Sequence, residues 1–107
     1  MRQISAKELA EWRADPQRPA PQLLDVREAW EFDLCRLEGA QHVPMREIPA
    51  SVDRLDPARP VVCICHHGGR SQQVAIFLES RGFSQVYNLS GGVDAWSRDV
   101  DPALRRY

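Results

Sequence analysis

The chain has no apolar run approaching the ~20 residues that a membrane-spanning helix needs, so no membrane contact is expected. It has no Lys/Arg cluster larger than Arg105-Arg106, and its formal net charge is −1. That balance lacks the electrostatic footprint of a nucleic-acid binder. Cysteine is scarce. Three thiols, an odd number, make a poor disulfide framework and point to a reducing compartment. Met1-Arg2-Gln3-Ile4-Ser5 opens no secretion signal, and a cytoplasmic location is the expectation. No internal repeat or low-complexity segment is present. What is there, 107 residues at 43% hydrophobic and 27% charged, suits one soluble domain over 1–107.

Periodicity and punctuation order the elements. Ser5-Ala6-Lys7-Glu8 has the spacing of a capping box and predicts a helix to about Ala14. The prolines Pro16, Pro19 and Pro21 then hold a loop. Gln22 to Val26 reads as a strand, Arg27 to Leu34 as a helix, Ala40 to Val43 as a short strand and Ile48 to Leu55 as a weak helix. Val61 to Cys65 is apolar throughout, as a strand buried on both faces of a parallel sheet should be. Gln72 to Arg81 reads as a helix ended by Gly82, Gln85 to Leu89 as a strand, and Ser90-Gly91-Gly92 as a turn into a last helix containing Trp96. Asp99 to Tyr107 reads as a polar, loosely ordered tail. Strands alternating with helices predict an α/β fold, a mainly parallel sheet of about five strands with helices on both faces.

The segment Cys65-His66-His67-Gly68-Gly69-Arg70-Ser71 places a thiol at a strand's carboxyl end, ahead of a two-glycine loop and a helix start. Sites of parallel sheets lie at such ends. Glycine allows successive N–H groups to turn toward one point, and the helix start adds unsatisfied N–H groups and a positive dipole end. An anion is stabilised there, and a thiolate is an anion. The expected chemistry is a nucleophilic sulfur.

Four segments together resemble the rhodanese family of sulfurtransferases. They are Leu23-Leu24-Asp25-Val26-Arg27 with Glu31-Phe32, Gly39 to Pro44, Cys65 to Ser71, and Leu89 to Trp96. The resemblance covers nearly the whole chain and implies a single-domain sulfurtransferase whose Cys65 forms a persulfide. It further implies that His66, His67, Gly68, Gly69, Arg70 and Ser71 surround the substrate. No cofactor and no metal are expected. The implied partners are a small sulfur donor such as thiosulfate and a thiol or cyanide acceptor, a protein thiol included. Phosphatases and arsenate reductases that share the fold are the neighbouring alternative. The phosphatases carry the arginine one residue further from the cysteine, whereas Arg70 stands five after Cys65, the shorter loop of sulfur transfer. A non-catalytic binding or regulatory module is the other alternative, although such modules typically lack the cysteine.

The chain departs from the family's pattern twice. Cys35-Arg36 replaces a Gly-His pair common in the family, and Glu31 stands where two-domain members carry an arginine that helps bind thiosulfate. A carboxylate there does not attract an anionic donor. Arg70 has two readings, anion binding or bracing of the loop against a carboxylate such as Asp25. Asp25 and Arg27 are the candidate supports of the loop. Cys63, two residues before Cys65, leaves the strand on the same face and reads as a core thiol or a resolving one. A metal held by Cys63, Cys65, His66 and His67 would crowd consecutive ligands on one centre. Trp12, Trp30 and Trp96 read as core or helix-packing residues.

Overall fold

The computed structural model describes residues 1–107. Ser5 starts the first helix, α1 (Ala6–Ala14): its hydroxyl accepts the Glu8 N–H at 3.1 Å while the Glu8 carboxylate accepts the Ser5 N–H at 2.9 Å. The strands are β1 (Arg2–Ile4), β2 (Gln22–Asp25), β3 (Gln41–His42), β4 (Val61–Ile64) and β5 (Val86–Leu89). The remaining helices are α2 (Ala29–Leu34), α3 (Ile48–Ser51), α4 (Gly69–Ser80) and α5 (Gly92–Asp99). All strand pairings are parallel, in the order β1-β5-β4-β2-β3.

β4 lies at the centre, with Cys63 opposite Leu24 on one side and Asn88 on the other. Its four residues are all buried, which explains the unbroken apolar run. Alternation along the strands splits the core in two. Val62, Ile64, Leu23 and Leu89 pack with Leu9, Trp12 and Trp96 of α1 and α5. Val61, Cys63, Cys65 and Val86 pack with Val74, Ala75 and Leu78 of α4. Helices therefore cover both faces. A fully buried leucine such as Leu78 contributes ~1.5–3 kcal/mol to holding α4 on the sheet.

One element is added to the expected set and two expectations are corrected. The fifth strand is β1, a three-residue edge too short for a periodicity signal, paired with β5 from the other end of the chain. Trp30 is 61% exposed and packs edge-on against Tyr107 rather than in the core. The segment after α5 does not trail into solvent: Val100, Leu104 and Tyr107 pack on the core, and Ser97 Oγ donates to the Leu104 carbonyl at 2.7 Å. No helix is long and apolar enough to cross a membrane.

Candidate functional site

Cys65 follows directly on β4 and is 1% exposed. Its Sγ accepts N–H groups from Gly68 at 3.1 Å and Ser71 at 3.4 Å. The Ser71 hydroxyl carries one proton and faces two acceptors, Sγ at 3.2 Å and Asn88 Oδ1 at 2.5 Å. α4 begins at Gly69, three residues earlier than its apolar pattern suggests, so its first turn rather than a separate loop supplies the cradle. The N–H groups of Gly69 and Arg70 have no backbone partner, as expected of a helix start.

A second loop holds this one in shape. The carbonyls of Cys65 and His66 accept the N–H groups of Val93 at 2.9 Å and Asp94 at 3.2 Å, in the first turn of α5. With the carbonyls turned toward α5, the following amides turn the other way. The approach is close enough that a Cβ on Gly92 would stand 2.3 Å from both carbonyl oxygens. Gly68 has φ +107°, a conformation that side chains with a Cβ rarely adopt. Asn88 completes the brace: its amide nitrogen donates to the Gly68 carbonyl at 3.1 Å and to Gln3 Oε1 at 2.9 Å.

Arg70 does not pair with Asp25. Its guanidinium grips Glu31 with two bonds, Nη1 to Oε1 at 2.7 Å and Nη2 to Oε2 at 2.8 Å. Arg70 beside it holds the Glu31 carboxyl down to about 2, against the opposing effect of burial. Asp25 instead pairs with Arg27, Oδ2 to Nη2 at 2.7 Å, both side chains fully buried. Arg27 further donates to the carbonyls of Glu31 and Cys35 and to the Tyr107 hydroxyl. The Asp25 and Arg27 side chains make no direct hydrogen bond to the Cys65 loop; Arg27 is linked toward it through the Glu31 carbonyl and the Tyr107 hydroxyl.

The two loop histidines, ring centroids 3.9 Å apart, differ in exposure. His67 is exposed, whereas His66 is half-buried with its ring stacked on Tyr107, centroids 3.8 Å apart and planes 8° from parallel. Burial, with the neighbouring His67, pushes the His66 imidazolium pKa down. Cys63 lies wholly in the core, where burial pushes its thiol up to about 12. Cys35 is also buried and free. Cys63, Cys65, His66 and His67 do not gather into a group able to hold a metal.

Three contributors went unread in the sequence: Asn88, Tyr107 and Gly92 as a backbone contact. Asn88 left a signal, an amide inside the otherwise apolar strand β5, which must find partners when buried.

Comparison with known proteins gives a consistent result. The rhodanese-like domain family matches residues 5–99. A rhodanese-like/PpiC domain-containing chloroplastic protein of Arabidopsis thaliana is 38% identical across the whole chain, which spans 38% of that protein's length. The thiosulfate sulfurtransferase GlpE of Pseudomonas fluorescens is 37% identical over 76% of the chain and 73% of its own length. Among solved structures, a rhodanese-like domain protein from Staphylococcus aureus superposes with a TM-score of 0.84 at 28% identity, covering 100% of this chain and 99% of that one.

Proposed function

The chain belongs to the rhodanese-like domain family, and on that premise we propose that it is a sulfurtransferase carrying a sulfane sulfur on Cys65. The observation that supports this most is the convergence on Sγ of two backbone N–H groups, from Gly68 and Ser71, at the carboxyl end of β4. Such donors are what an anionic sulfur requires.

The Cys65 thiolate attacks the outer sulfur of a donor. With thiosulfate, the sulfur–sulfur bond breaks and sulfite leaves with its electron pair. The enzyme keeps a persulfide whose terminal sulfur is negative. The unpartnered amides of Gly69 and Arg70 are available to that outer sulfur. An acceptor then attacks the terminal sulfur: cyanide leaves as thiocyanate, a thiol as a new persulfide, and the Cys65 thiolate returns. Two half-reactions on one covalent intermediate give ping-pong kinetics.

Glu31 bears on the donor. Both oxygens engage the Arg70 guanidinium, so the cation nearest the loop is already neutralised when a dianion arrives. Thiosulfate binding is accordingly weak, with KM above the common ~1 μM–1 mM window.

Mass spectrometry of the intact protein tests the carrier. Thiosulfate should add one sulfur, about 32 Da, and cyanide should remove it. Cys65→Ser should never acquire it. Sulfur found on Cys63 or Cys35 would end the proposal.

A further inference from the structure

Tyr107 touches both ends of the sulfur loop. At the start, its ring lies flat on His66, the residue after Cys65. At the end, its hydroxyl donates to Glu31 Oε2 at 2.7 Å, and Glu31 in turn holds Arg70. The same hydroxyl accepts from Arg27 Nη1 at 3.0 Å, which fixes the phenol from behind. Trp30 meets the ring edge-on at 5.8 Å. The approach of the chain to this point is itself tethered, by Arg106 to Asp94 at 3.1 Å. His66 Nε2 is sealed from solvent without a hydrogen-bond partner, and Cys65, the residue before it, is 1% exposed. The open depression beside Arg70, about 460 Å³ and lined by Val26, Met45 and Pro49 among others, is not lined by Cys65.

We infer that Tyr107 is a positioning residue that clasps the two ends of the Cys65 loop and sets the size of the donor or acceptor that reaches the sulfur. Small species pass. A bulky thiol or a protein surface reaches Cys65 only after Tyr107 leaves His66 and Glu31. This rests on Cys65 being the reactive sulfur, and the test keeps the two ideas apart by reading access without sulfur transfer.

The 107-residue chain and its Tyr107→Phe and Tyr107→Ala variants are labelled with a small reagent, iodoacetamide, and a bulky one, fluorescein maleimide, and the modified cysteine is identified by peptide mapping. Losing a stacked ring and a hydrogen bond to a carboxylate raises the open population about tenfold. Maleimide labelling of Cys65 should therefore rise about tenfold in Tyr107→Ala, with iodoacetamide labelling changed much less. Tyr107→Phe keeps the stack on His66 and should fall between. Cys63, wholly interior, reports any general loosening and should stay unlabelled in all three proteins. Equal acceleration by both reagents, no acceleration by either, or labelling of Cys63 in step with Cys65 each overturns the clasp. Loading with thiosulfate is followed separately: a chain that shows the size effect but never takes up sulfur keeps the clasp and loses the sulfur carrier.

Discussion

Asp25 with Arg27 and Glu31 with Arg70 are the same chemical pair, a carboxylate gripped by a guanidinium at 2.7 Å. Their surroundings differ. Neither side chain of the first pair is exposed at all, whereas Arg70 in the second is 37% exposed. Arg27 also satisfies two carbonyls and a phenol, so every direction its planar fork points is occupied. Arg70 spends both arms on Glu31 and borders the open depression beside the loop. Burial thus turns one pair into an interior pin between β2 and α2, and leaves the other as an adjustable charge at the mouth of the site. The exposed Arg46–Glu28 pair, 67% and 47% exposed, extends the series to its solvent limit.

Breaking the interior pair should have the largest effect. Arg27→Met leaves Asp25 in the core without its countercharge, a loss of ~3–5 kcal/mol read as a lower urea midpoint. Replacing Asp25 by leucine in the same chain should recover much of it, because the desolvation cost of both charges then disappears. A single variant as stable as the wild type would show that the pair does not pin the core.

The mouth pair should act on substrate more than on stability. Glu31→Gln frees the Arg70 charge, and an uncompensated cation worth ~1 kcal/mol lowers the thiosulfate KM about fivefold with kcat little changed. The same carboxylate shapes the acid response. Its pKa is depressed in the folded chain, so its contribution is full above the ordinary carboxylate value of about 4.3 and is lost as pH falls toward about 2. Acid unfolding of Glu31→Gln should lack that component. A KM unmoved by the substitution would detach Arg70 from the donor.

Arg46→Ala should be the smallest effect, with urea midpoint and KM both unchanged, since both partners stand in water. A measurable loss would mean that exposure does not order the three pairs.

Much of this was legible beforehand, for definite reasons. The capping box at Ser5, the apolar run of β4 and the glycines after Cys65 are local signals, and each follows from covalent geometry or solvent within a few residues. The cradle's thiol was legible because strand, loop and helix start are consecutive in the chain. What the local sequence does not carry is long-range. β1 is recognised only by its partner β5, Asn88 only by the Gly68 carbonyl and Ser71, and Tyr107 only by Glu31 and His66. For Arg70 the sequence leaves anion binding and bracing both open and offers Asp25 as a carboxylate; Arg27 occupies Asp25, and Arg70 grips Glu31.

The hold of α5 on the Cys65 and His66 carbonyls has a consequence for the order in which the molecule is made. The amides that accomplish it belong to Val93 and Asp94, and the brace at Asn88 lies on a strand that also supplies the only partner of β1. A chain emerging from synthesis with Cys65 already outside has β2 and β4 available to pair, but nothing yet to turn the two carbonyls away from the sulfur. Until Leu89 to Asp94 have followed, the Cys65 and His66 carbonyls lack these partners. The thiol's special surroundings wait on residues that follow it in the chain.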